Sequence, residues 1–383
     1  MTNKTRIAET ASKQSSSSKR SEIKPLTSLR GLAAFMVLLQ HFSTTAQSYC
    51  VGYIPSLAPH GYMAVDFFFI LSGFIMAYTY QNDFQSKGLQ AYFPFLLKRI
   101  ARVSPLGWVV TIAILAFGVT ANLWGRSDLF INENAQNSGL GMDALINFLQ
   151  IQGFLPLFNL NPPSWSISFE FGAYLLFPIY IYLIFNSRIL LTLVLISGFA
   201  GLTAIAHEEP RLGLLGQSTG ESIVRSLIEF ALGLATYRLF RNRAIARSIG
   251  SDAATWSLSA LCLALFALRV DLLLDLVFPL IVLSWARNEG TANRFLSAPI
   301  PYFLGTISFS IYLVHNMLRK PELEIVKHFT HGPLSVAWAV VFVVVGCLTV
   351  LPVATLSYYL VEHPGRDAIN SLVRRTQRKL TFR

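Results

Sequence analysis

An all-α membrane bundle of about ten transmembrane helices, with both termini cytoplasmic, is the fold this sequence predicts. Three observations predict it. Of the 383 residues, 53% are hydrophobic and only 13% are charged, a balance that soluble domains do not carry. The apolar residues gather in runs near 20 residues, the length at which a helix crosses a hydrocarbon core of about 30 Å. Lys and Arg divide unevenly between alternate loops, as the positive-inside rule requires of a multi-pass chain.

The elements follow in order. Residues 1–24 are polar, with a serine run from Ser15 to Ser18 followed by Lys19, Arg20 and Lys24. No small-residue cleavage site follows the first apolar run, so this segment reads as an uncleaved, disordered cytoplasmic tail. Hydropathy then predicts spans over 27–46, 61–80, 103–122, 165–186, 190–206, 222–239, 254–269, 272–286, 300–318 and 335–360. The seventh and eighth are short. They read as one hairpin turning at Arg269-Val270-Asp271, or as a pair that does not fully cross. The loop over 123–164 is polar at first, then apolar from Leu145 to Leu157. Its second part is broken by Gly153, Pro156, Pro162 and Pro163, so it lies along the interface or dips back as a lid. Residues 25–365 form the membrane domain and 366–383 a basic cytoplasmic tail.

With the N-terminus inside, 24 of the 31 Lys and Arg fall on the cytoplasmic side and 7 on the other. The net charge of +11 is then a topology signal and an attraction to anionic lipid, with no nucleic acid required. The three cysteines, Cys50, Cys262 and Cys347, form neither a disulfide framework nor a metal spacing. No GxSxG elbow, P-loop, dinucleotide fingerprint or HExxH motif occurs. Soluble hydrolase, nucleotide and zinc chemistries are thereby set aside, and no metal is expected. Transporters often carry paired, broken segments in two halves; no internal repeat is evident here.

What remains is a set of polar residues inside apolar runs, where ionisable groups are costly and need a partner or a task. Arg30 and His41 lie eleven residues apart in the first span. That is almost three helical turns, so they share a face at about 16 Å separation. A neutral imidazole suits proton abstraction near pH 7. A histidine simply hydrogen-bonded to a neighbouring helix is the other reading. Asp66 and Glu170, each about five residues inside a span, are the carboxylates available to orient His41. Arg99 and Arg102, at i and i+3 where the third span begins, match phosphate oxygens, and equally match ordinary topology signals. Ser308, Tyr312 and His315 form a polar stripe at i, i+4 and i+7, lining a cavity or joining helices. Trp165 fits an interfacial belt. Arg225 and Glu229, at i and i+4, read as a structural pair, and Asp271 and Asp275 as partners of Arg269. Ser72 and Gly73 read as helix packing.

The ordered set of these segments resembles the bacterial membrane acyltransferase-3 family. It comprises Leu29-Arg30-Gly31-Leu32-Ala33-Ala34 through His41, then Asp66-Phe67-Phe68-Phe69-Ile70-Leu71-Ser72-Gly73-Phe74 and Arg99-Ile100-Ala101-Arg102-Val103-Ser104-Pro105. Trp165-Ser166-Ile167-Ser168-Phe169-Glu170, Ser310-Ile311-Tyr312-Leu313-Val314-His315 and Tyr359-Leu360-Val361-Glu362-His363-Pro364 complete it. Each piece alone is weak; the six in family order, over roughly residues 25 to 365, are specific. The resemblance implies an inner-membrane O-acyltransferase acting on a cell-surface or exported carbohydrate such as lipopolysaccharide or exopolysaccharide. Its implied co-substrate is acyl-CoA, most simply acetyl-CoA, and no cofactor is permanently bound. It further implies that Arg30 and His41 are essential to transfer and that Arg99 and Arg102 meet the donor. Asp66, Glu170, Tyr312, His315 and Trp165 inherit candidacy as site-lining residues. A transporter or flippase using the same polar cavity is the competing expectation. Some members carry an added esterase-like domain, which is not expected in the few residues after Glu362. The residues framing Glu170, Ser168-Phe169, depart from the usual valine or isoleucine.

Overall fold

The computed structural model describes residues 20–53, 60–125, 140–155, 160–208, 220–330 and 332–381. The N-terminal serine run and parts of the loop over 123–164 lie outside them. Among the described residues the only strand-like pairing is a single bridge between Cys50 and Leu334. The rest of the regular structure is helical.

The helices run, in chain order, α1 Lys24–Tyr49, α2 Met63–Lys87, α3 Tyr92–Leu123, α4 Leu140–Leu149, α5 Trp165–Leu175, α6 Phe177–Phe185, α7 Arg188–Glu208 and α8 Gly220–Phe240. They continue as α9 Arg243–Ile249, α10 Asp252–Leu268, α11 Asp271–Arg287, α12 Thr291–Leu296, α13 Pro299–Thr306, α14 Ser308–Thr330, α15 Val336–Ser357 and α16 His363–Thr381. Among the described residues, three helical runs are long and apolar enough to cross a membrane: Met63–Leu123, Arg188–Glu208 and Val336–Arg375. The first of these holds two apolar helices, α2 and α3, joined by a single 3-10 turn. Their side chains meet at that end, with Tyr80 edge-on to Phe95 at 5.0 Å and Phe84 edge-on to Phe95 at 5.7 Å. A fourth candidate is the bent pair formed by residues 162–175 and 177–185. The remaining predicted spans are shorter or diluted by the polar residues singled out above.

Several helices break where the sequence predicts continuity. The fourth span bends by 59° between Leu175 and Phe177, because Pro178 has no N–H for the preceding turn. The ninth is interrupted at Ile307, between α13 and α14. The seventh and eighth form the hairpin, turning through Arg269 at φ 64°. The last span runs on through one π turn, Tyr358–Glu362, directly into α16. Asp252 anchors the other end of the hairpin. Donors from Asn288 and Thr291 at 2.7–2.9 Å hold its carboxyl far below the usual carboxylate range.

The apolar interior has two parts. One is built mainly on α2, α5, α6, α8 and α11 around Phe74, Phe177 and Phe230. The other gathers α1, α3, α14 and α15 around Phe42, Ile311 and Phe342. Phe68 and Phe171 touch both. Residues from both parts border one cavity, which lies on the seam between them.

Candidate active site

Arg30 is placed by a close helix crossing. Gly31 on α1 faces Gly305 on α13, and a Cβ on either residue would overlap backbone atoms of the other helix. The chain break at Ile307 lies one turn on. There the Arg30 Nε donates to the Ser308 hydroxyl at 2.9 Å and its Nη2 donates to the Gly305 carbonyl at 3.1 Å. Ser308 also donates to that carbonyl, at 2.8 Å. A helix break thus supplies the acceptors that a regular helix would have used internally, and they hold one edge of the guanidinium. The same side chain lines the cavity.

Arg99 and Arg102 reach the same cavity from α3. The Arg99 Nη2 donates to the Tyr80 hydroxyl at 2.8 Å, and its guanidinium lies 5.2 Å from the centre of the Tyr80 ring, a cation–π arrangement. Arg102 sits 3.8 Å from Glu362, whose other oxygen accepts from Ser310 at 2.8 Å. Glu362 is buried within the π turn; such turns are frequent at functional sites because they re-aim side chains. Glu170, also on the cavity wall, accepts from both Ser72 and Tyr174. The cavity encloses about 140 Å³, comparable to the ~150 Å³ that admits a benzene-sized molecule elsewhere.

His41 does not border this cavity; it pairs with His315. The Nδ1 of His41 lies 2.9 Å from the Nε2 of His315, and the rings stack with centroids 5.0 Å apart. The Nδ1 of His315 lies 3.1 Å from the Ile311 carbonyl. A carbonyl only accepts, so His315 carries its proton on Nδ1 and offers a lone pair at Nε2. His41 must then donate from Nδ1, which leaves its own Nε2 as a bare lone pair. The backbone of α14 therefore sets the tautomer of both rings, and the outcome is a base at the Nε2 of His41. Tyr312 stands between this pair and the cavity. Its ring lines the cavity and lies 6.0 Å from that of His315. Its hydroxyl donates to the Pro163 carbonyl at 2.7 Å and contacts Ser166 at 2.7 Å. Phe68 packs edge-on against it at 5.8 Å.

The expectation that Asp66 or Glu170 orients His41 is not met. Asp66 is fully buried beside Arg225, 2.8 Å away, and Glu170 is held by Ser72 and Tyr174. The reason is lateral: depth along a span is readable from sequence, whereas helix azimuth is set by crossings such as Gly31 on Gly305. Arg30, Arg99 and Arg102 line one cavity. Trp165 packs against Phe69 and Phe169 and is not on the cavity wall. Asp271 accepts from Tyr62 and lies 3.1 Å from His60, in place of the expected Arg269. Ser72, read as mere packing, is a donor to Glu170; 98 residues separate the two, and no local pattern pairs them. Tyr80 gave no signal beyond its place in an aromatic run.

Residues 24–357 match the family model described as Acyltransferase domain, Acyl_transf_3. The chain belongs to the acyltransferase-3 family. It is similar to Acyltransferase MdmB from Streptomyces mycarofaciens, with 26% identity over 360 residues that cover 84% of this chain and 88% of that protein. No solved structure matches it. As a member of this family the protein is a membrane acyltransferase that moves groups other than amino-acyl groups.

Proposed function

We propose that this acyltransferase-3 protein moves an acyl group, most simply acetyl, from acyl-CoA to a hydroxyl of a cell-surface or exported carbohydrate. It does so as a multi-pass protein of the bacterial inner membrane. The observation that carries the reading is the convergence of three guanidinium groups, Arg30, Arg99 and Arg102, on one cavity, with an imidazole base on the same helix as Arg30. Guanidinium forks suit the phosphates of a coenzyme A carrier. The ~16 Å between Arg30 and His41 along α1 is a distance that an extended pantetheine arm spans between its phosphates and its sulfur.

In this reading the donor enters from the arginine side and its thioester advances past Tyr312 and Phe68. The acceptor oxygen attacks the thioester carbonyl carbon as the Nε2 of His41 takes the hydroxyl proton. Collapse breaks the carbon–sulfur bond, and the departing thiolate recovers that proton from His41. The products are an ester and free coenzyme A thiol. His315 spreads the charge of the His41 imidazolium and holds its orientation. The acceptor glycan approaches from the opposite face of the bilayer or laterally from lipid. Purified protein given acetyl-CoA, with and without the glycan of its host's envelope, tests this. Thiol release that depends on the glycan is expected. Glycan transport without any release of thiol would replace the reading by that of a transporter.

A further inference from the structure

Away from the arginine cavity, on the helix interface where α2, α8 and α11 meet, three carboxylates converge. Asp66, Glu229 and Asp275 each offer an oxygen within 4.8 Å of the others, and all three side chains are fully buried. The cluster forms because α2 and α8 approach at backbone distance. Gly73 faces the Phe230 carbonyl and Gly233 faces the Ile70 carbonyl, with no room for a Cβ at either. Two helical turns from Gly73 on α2 stands Asp66; one and two turns before Gly233 on α8 stand Glu229 and Arg225.

Arg225 is the cation within the group, 2.8 Å from Asp66 and 3.8 Å from Glu229. Three carboxylates against one guanidinium leave two uncompensated negative charges in an apolar interior, where each is severely penalised. Asp275 makes the point sharpest. It is fully buried, neither of its oxygens has a hydrogen-bond partner, and it takes part in no ion pair among the described residues. Its carboxylate is nonetheless aimed into the cluster. Asp271, one turn away, is already served by Tyr62 and His60 and does not supply the missing charge.

We propose that Asp66, Glu229 and Asp275 bind one hard divalent cation. Three carboxylates, one guanidinium and one such ion sum to zero charge. The donor set is all oxygen, which suits calcium or magnesium rather than softer metals. Each carboxylate offers an oxygen within 4.8 Å of the other two, close enough for one such ion to be shared by all three. The ion would pin α2, which carries Phe68 and Ser72 to the active site, onto α8 and α11. It takes no part in the transfer chemistry, so this proposal stands apart from the proposed reaction.

The test uses the full-length protein in detergent, with calcium and magnesium as separate probes. Metal analysis after extensive washing is expected to find about one divalent ion per chain. EDTA is expected to lower the melting temperature by at least roughly 2 °C, with calcium or magnesium restoring it. Asp275→Asn and Glu229→Gln should each lose both the ion and the response to EDTA. Should either variant fail to fold, the wild-type measurements decide alone. A wild-type protein with no bound divalent ion, and a melting temperature indifferent to EDTA, calcium and magnesium, overturns the proposal and leaves two carboxyl groups neutralised by protons.

Discussion

At the scale of single residues, the site turns on where two protons sit. A backbone carbonyl of α14 fixes the proton of His315, His315 fixes that of His41, and His41 is left with an open lone pair. In the proposed mechanism His315 is a positioning residue. Replacing it with Phe removes the acceptor for the Nδ1 proton of His41. The turnover number is expected to fall by roughly 10²-fold or more, with little change in KM for the donor. His315→Gln, which keeps an acceptor oxygen, should recover part of the rate. A purely structural role would instead show loss of folded protein in both variants. Arg99→Ala makes the complementary prediction. If Arg99 meets donor phosphate as proposed, removing this charged donor costs about 1.5–3 kcal/mol, which raises the donor KM by about 10- to 150-fold while leaving the rate at saturation nearly unchanged. Sequence alone exposed Arg30, Arg99, Arg102 and His41 because ionisable residues in apolar runs stand out. It could not pair His41 with His315, since 274 residues separate them and nothing local fixes their facing.

Elements explain why the site has this geometry. The break at Ile307 is as much a part of the site as any side chain, because it frees the carbonyl that seats Arg30. The crossing of Gly31 on Gly305 brings the two together. Gly31→Ala pushes a methyl group into the backbone of α13. Such overpacking costs about 1–3 kcal/mol. The variant should melt earlier and bind the donor more weakly, both measurable on purified protein by thermal denaturation and kinetics. The sequence marked spans well where apolar runs were uniform, as in α7 and α15. It missed the bend after Leu175 and the break at Ile307. Both occur within runs of continuous hydropathy: Pro178 marks the first for a reader who looks beyond hydropathy, whereas the break at Ile307 carries no such mark.

On the scale of the whole molecule, two apolar cores meet at a seam that holds the arginine-lined cavity. This division follows from solvent: apolar side chains serve both the lipid face and the helix interfaces, so charged groups survive only between packed helices. The family's motif order was legible because it rests on single residues at fixed places along the chain. The number of crossings was less so, since the helices that carry the polar residues are the ones whose hydropathy they dilute. The charge asymmetry predicts that α16 is cytoplasmic and that the turn after α1 is outside. In a cysteine-free background, Val51→Cys should react with an impermeant thiol reagent on intact cells. Ser371→Cys should react only after the membrane is opened. The reverse pattern would invert the topology and the side from which the donor enters.

The account rests most heavily on the lone pair of His41, and one measurement addresses it directly: transfer of labelled acetyl from acetyl-CoA by purified wild-type protein and by His41→Ala of equal thermal stability. Loss of a general base predicts a rate lower by about 10²- to 10⁴-fold. Transfer by the alanine variant at the wild-type rate would contradict the account.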